Sequence, residues 1–150
     1  MDYMMEVRDM ADWTAVVETV VSKLREQPTD GAQVLALHGD LGAGKTTYMQ
    51  FLGQSLGITE AITSPTFVVM KSYPLQEQSY ETLVHIDAYR IEDSAEMNPL
   101  HFDEILATPH TLVAIEWAEH IMDVLPLHTL HLTITDHGTH RTVSTETMHA

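Results

Sequence analysis

Residues 39–47 read Gly39-Asp40-Leu41-Gly42-Ala43-Gly44-Lys45-Thr46-Thr47, with the spacing G-x-x-x-x-G-K-[ST]. A glycine-rich stretch is otherwise simply a turn. Here the glycines let successive backbone N–H groups converge on phosphate oxygens, and a following helix presents its positive end to them. Lys45 is long enough to meet β and γ phosphates, and the Thr46 hydroxyl suits one magnesium coordination position. The flanks carry the required context of strand, loop and helix: Val34–Leu37 is an apolar run, and Met49, Leu52 and Leu56 then recur at helical spacing. The chemistry implied is the binding of ATP or ADP with Mg²⁺.

A phosphate cradle does not by itself say what happens to the γ-phosphate. A carboxylate near the metal, at the end of a buried strand, would. Glu116 follows the unalternating run Leu112–Ile115, and Asp87 closes the run Leu83–Ile86. Either acid has a bland alternative as a helix cap or an exposed side chain. Trp117 is similarly open between a ring beside the nucleotide and a core aromatic.

The elements that must position these residues follow from periodicity. Trp13, Val16, Val17, Val20, Val21 and Leu24 predict a helix, with Asp9 or Asp12 as N-cap, broken by Pro28, Asp30 and Gly31. Val34–Leu37 predicts a strand buried on both faces. Gly57 is placed to end the second helix in a left-handed conformation. An extended stretch over Thr66–Met70 precedes a polar loop at 76–79 and the strand at Leu83–Ile86. Residues 94–107 predict one helix or two short ones, interrupted near Asn98-Pro99. Leu130–Ile134, the turn residues Asp136-His137-Gly138 and a polar strand after them predict a hairpin. The expectation is one α/β domain over residues 1–150. It is a three-layer sandwich like that of P-loop nucleotidases, with a mostly parallel sheet and an antiparallel C-terminal hairpin.

Bulk properties narrow the function. The 150 residues include 7 basic and 22 acidic ones, a net charge of −15. Gripping nucleic acid through its phosphates requires Lys and Arg, so direct tRNA binding is disfavoured. The acidity fits either plain solubility or a face that meets a basic protein. No apolar run approaches the roughly 20 residues that span a bilayer. The acidic N-terminus lacks a signal-peptide core, and cysteine is absent, which together suit a cytoplasmic protein. Ten histidines include a late group, His128, His131, His137 and His140, expected at the surface rather than on a metal.

Four blocks, GDLGAGKTT at 39–47, SPTF at 64–67, HIDAYR at 85–90 and IEW at 115–117, resemble in order and spacing the TsaE (YjeE) family. The resemblance covers nearly the whole chain. The family comprises bacterial P-loop ATPases required for threonylcarbamoyladenosine in tRNA. It implies magnesium at Thr46, Asp87 and Glu116, and catalysis through Lys45, Asp87 and Glu116. It further implies nucleotide contacts from residues 39–47, Thr66 and Trp117. Ser64, Pro65 and Thr66 resemble a segment that responds to the γ-phosphate. Arg90 suits either charge stabilisation in hydrolysis or an ion pair that holds its loop. The implied partners are the TsaB and TsaD proteins, with tRNA reached only through their complex and no membrane involved. Ala88, His120 and Lys71 depart from the family's usual residues, away from the phosphate chemistry.

The competing reading is a small-molecule kinase. Such enzymes hold two phosphate groups with several arginines, whereas only Arg90 of the four here lies among the motifs. A GTPase is disfavoured because the guanine-reading N-K-x-D is impossible: the sole asparagine, Asn98, precedes Pro99.

Overall fold

The computed structural model describes residues 3–27, 29–40, 42–62, 69–76 and 79–147. Strand β1 (Met4–Val7) leads into helix α1 (Met10–Glu26), then β2 (Gln33–His38) and helix α2 (Lys45–Ser55). β3 (Met70–Pro74) and β4 (Thr82–Asp87) follow. A 3-10 helix (Ser94–Leu100) and the short α3 (Phe102–Leu106) precede β5 (Thr111–Glu116). A second 3-10 helix (Ala118–Val124) then leads to β6 (Leu130–Asp136) and β7 (Arg141–Thr147).

All seven strands join one sheet in the order β1-β7-β6-β2-β5-β4-β3. The sheet is mixed, which corrects the expected mostly parallel one. Only the central strands β6, β2, β5 and β4 run parallel to their neighbours in that group. β3 pairs antiparallel with β4, β7 with β6, and β1 with β7. Length explains the first of these: a parallel connection needs a dozen or more residues, and Pro74 and Thr82 are too close for one. β1 is four residues of MMEV, too short for its alternation to register.

Layering follows from strand parity, since successive side chains point to opposite faces. Leu35 and Leu37 of β2 join a core with α1 and α2. Val34 and Ala36 join a second core with Met97, Phe102 and Ile121 on the other face. α1 forms as its sequence dictates: the Asp9 side chain accepts from the Asp12 N–H, and the buried stripe runs from Trp13 to Leu24. α2 ends where Gly57 takes φ 83°. The break after the first 3-10 helix falls at His101 (φ 56°), not at Pro99, which the helix accommodates. Each fully buried Leu or Val on these faces contributes about 1.5–3 kcal/mol by leaving water. Among the described residues no helix is long and apolar enough to cross a membrane.

Candidate functional site

Two parallel strands deliver the acids together. Asp87 and Glu116 are register partners at the C-terminal ends of β4 and β5, so their side chains leave the sheet at one level and on one face. That face is the one α1 and α2 cover, because Leu83 and Ala114 share the parity of the two acids and lie in that core. α2 begins at Lys45, immediately after the glycine loop, and its first turn meets the carboxylates. Thr46 Oγ1 lies 3.4 Å from Glu116 Oε1. Both acids are buried, at 6% and 3% exposure. Among the described residues, no three His, Asp or Glu side chains cluster as a metal cage. Two carboxylates and a hydroxyl are nonetheless a hard-oxygen set of the kind Mg²⁺ uses alongside phosphate.

The second oxygen of Glu116 is taken by His85, whose Nε2 stands 2.6 Å from Oε2. His85 is fully buried and two residues before Asp87, on the same face of β4. It therefore fixes the carboxylate so that Oε1 faces Thr46. Asp87 Oδ1 accepts from the Tyr89 N–H at 2.9 Å, which orients the second acid.

Lys45 is buried, and its ammonium donates to the Gly39 carbonyl at 2.6 Å while lying 3.4 Å from the Trp117 ring centroid. Burial holds its pKa below the ordinary lysine value, against the upward pull of Glu119, Glu116, Asp87 and Asp40. Trp117 reaches that place through a left-handed backbone, φ 58°, uncommon for a bulky residue. Its ring is half-buried, packed against the second core and under the lysine ammonium, and Tyr89 lies against it at 5.1 Å. The cavity so formed has a volume of about 430 Å³, lined among others by Gly42, Thr47, Tyr89 and Arg141.

The structure therefore brings Gly42, Gly44, Lys45, Thr46, Thr47, Asp87, Glu116 and Trp117 together at one cavity. Gly39 holds Lys45 through its carbonyl, while Asp40 and Ala43 sit in the loop itself, Ala43 donating its N–H to Asp40 O. Leu41 and the segment with Ser64, Pro65 and Thr66 lie outside the described residues. Arg90 is exposed and does not line the cavity.

Two features escaped the sequence reading. Arg141, at the start of β7, lines the cavity, and the signal was its parity with buried Val143. His131 is not at the surface: it is 8% exposed, with Nδ1 2.8 Å from His38 Nε2. His128, just before β6, is half-buried and faces the Ala32 carbonyl.

A seven-stranded mixed sheet with a glycine loop after a central strand, and paired acids at the ends of the next two, defines an α/β protein with one buried acidic pair beside that loop. Residues 7–143 match the family described as "Threonylcarbamoyl adenosine biosynthesis protein TsaE", and the chain belongs to that family. It is 38% identical over 114 residues to the tRNA threonylcarbamoyladenosine biosynthesis protein TsaE of Bacillus subtilis, covering 76% of this chain and 68% of that one. The protein of the same name from Treponema pallidum is 34% identical over 127 residues, covering 85% and 84%. Among solved structures, YdiB of Bacillus subtilis superposes with a TM-score of 0.75 at 25% identity, covering 99% of this chain and 87% of that one.

Proposed function

We propose that this chain binds and hydrolyses ATP with Mg²⁺, and that it serves tRNA threonylcarbamoyladenosine formation as an accessory ATPase acting on the TsaB–TsaD complex. The observation that carries the reading is the convergence on one cavity of Lys45, Thr46 and two buried acids that need a cation between them. Mg²⁺, when bound, would neutralise charge on the β and γ phosphates. The residues that would hold it are Thr46, Asp87 and Glu116.

The remaining steps belong to the chain's own groups. Backbone N–H groups from Gly42 to Thr46 would donate to the phosphate oxygens at the positive end of α2. Lys45 leaves the Gly39 carbonyl and pairs with phosphate oxygens, trading a neutral acceptor for a charged one. Its pKa, lowered by burial, recovers as phosphate charge arrives. Asp87 and Glu116 would hold the metal and orient the attacking water, and His85 and the Tyr89 N–H fix the two carboxylates for that role. Trp117 and Tyr89 close the γ-phosphate side against bulk water.

The net charge of −15 does not oppose this, because exposed carboxylates are screened beyond about 8 Å while the loop acts at contact distance. It does oppose direct tRNA binding, and a protein partner carries the RNA in this reading. ATP would hold residues 64–67 in one arrangement and hydrolysis would release them. The test is reconstitution with TsaB, TsaD and tRNA. Modified tRNA should accumulate over many cycles with ATP and this chain, and only once per complex with Lys45→Ala. Equal accumulation with either protein would reject the proposal.

A further inference from the structure

A second cavity lies at the opposite pole of the sheet from the glycine loop. β2 runs from Gln33 to His38 and delivers the loop at its far end, so the two poles stand roughly 17 Å apart at about 3.3 Å per residue. At the near pole the last turn of α1, the α1–β2 link, the residues before β4 and the start of β5 enclose about 410 Å³. That volume falls in the range of small-ligand sites. The chain carries 22 acidic residues against 7 basic ones, yet among the described residues this cavity is lined by Arg25 and His110 and by no acid. An anionic occupant meets a cation there and no carboxylate.

One wall is a fixed polar network. Gln33 is 8% exposed, at the head of an otherwise apolar strand. The Tyr80 hydroxyl donates to its Oε1, while its Nε2 donates to the Leu24 carbonyl and, at 3.1 Å, to that of Gln27. Burial pushes the Tyr80 pKa up to about 12 against the pull of Arg25, so this hydroxyl stays a donor. Gln33 is thereby spent on the C-terminal end of α1. Gln27 is not: its Oε1 is buried and has no hydrogen-bond partner among the described residues. A buried acceptor left unpaired is costly, and folded proteins pair nearly all of theirs. The Thr29 hydroxyl accepts from the Gly31 N–H at 3.3 Å, which leaves its own hydrogen to donate. Arg25 lies 5.8 Å from the Tyr80 ring centroid and makes no ion pair among the described residues. One small volume therefore offers a cation, a hydroxyl donor and an unmet acceptor.

We propose that this cavity binds a small carboxylic acid that carries its own hydrogen-bond donor, the chemistry of an amino acid or a hydroxy acid. The carboxylate pairs with the Arg25 guanidinium and the Thr29 hydroxyl, and the amino or hydroxyl group donates to Gln27 Oε1. The site shares no lining residue with the cavity at the glycine loop, so its failure would leave the nucleotide reading untouched.

Amide NMR of the full chain tests the proposal, with the protein amino acids added one at a time, then glycolate and L-lactate. At least one is expected to shift the backbone signals of Thr29, Gly31 and His110 saturably while those of Gly42 and Gly44 stay in place. Acetate and propionate, which lack the donor, should bind about tenfold more weakly than the best of these acids. Arg25→Gln should abolish the response, and Gln27→Met should bring the best acid down to the affinity of acetate. Thermal unfolding without ligand establishes that both variants fold. Three results would overturn the proposal: no saturable shift from any of these acids, acetate bound within twofold of the best one, or an unchanged response in a folded Arg25→Gln.

Discussion

The acid flank and the arginine flank of the glycine loop are built by different means. On the acid flank, two parallel strands end in register, and Asp87 and Glu116 meet because β4 and β5 are neighbours. Three contacts fix the groups there, His85 Nε2 with Glu116, the Tyr89 N–H on Asp87 and Lys45 on the Gly39 carbonyl, although the buried His85 Nδ1 has no hydrogen-bond partner among the described residues. On the arginine flank an antiparallel hairpin sets Arg141 against the loop with an unpartnered Nε. A site whose chemistry needs fixed geometry is pre-organised, while a cation with unused donors keeps capacity for an anion. The contrast predicts that changes on the acid flank act on turnover and changes on the other act on affinity.

The largest effect should come from Lys45, which lines the cavity between the acids and Arg141. Lys45→Ala is expected to weaken ATP and ADP binding on the order of 10–100-fold, the scale of a lost charge-assisted contact, and to abolish hydrolysis. Titration calorimetry with and without Mg²⁺ measures the first. Unchanged ATP affinity would remove the phosphate cradle from the account.

Next come the acids. Asp87→Ala and Glu116→Ala should lower turnover on the order of 100-fold or more while retaining nucleotide binding, with a weakened Mg²⁺ dependence. Turnover within twofold of wild type in both variants would identify these as the wrong acids. His85→Gln separates geometry from charge, because it leaves the acids and disturbs only how Glu116 is held. Supporting groups of this kind typically matter 10–100-fold, so a roughly tenfold fall in kcat with little change in KM is expected. A rise in KM alone would show that His85 supports nucleotide binding instead.

How much of this was legible follows the same division. The acid flank is written in short contiguous runs: an apolar strand core, then an acid, at both 83–87 and 112–116. The glycine loop is contiguous as well, preceded by the apolar run Val34–Leu37 and followed by Met49, Leu52 and Leu56 at helical spacing. What stayed hidden depends on long-range pairing. Arg141 reaches the loop only because β7 pairs with β6 and β6 with β2, and no local pattern states that order. β1 is held by β7 across most of the chain, and its four residues carry too little periodicity to announce a strand. The 3-10 helix after Trp117 breaks the 3.6-residue pattern with a non-helical Ile121. His131 looked like a polar position on an alternating strand, yet it is buried against His38.

That histidine pair gives the smallest expected effect, and it concerns the sheet beside the loop rather than either flank. His38 ends β2 and His131 lies on neighbouring β6, with rings stacked at 5.0 Å and a nitrogen–nitrogen contact of 2.8 Å. One ring donates and the other accepts in that contact, so it needs at least one neutral ring and is lost once both are protonated. Burial lowers the pKa of each; Glu119 at 3.8 Å opposes this for His38 and Glu146 for His131, whereas Lys45 reinforces it for His38, as His38 does for His131. The sign follows from linkage. The unfolded chain takes up these protons first, near the ordinary value of about 6.5, so the pair's contribution is complete above that pH and is lost as pH falls toward the lowered folded values. Thermal unfolding at intervals from about pH 7.5 to 5.5 should therefore show a shallower decline for His131→Phe than for wild type, since the variant keeps a ring and drops the proton. Carboxylates elsewhere affect both proteins alike and cancel in the comparison. Parallel pH profiles would mean that the pair does not titrate with folding, and a steeper decline in the variant would mean that the contact protects the fold against acid.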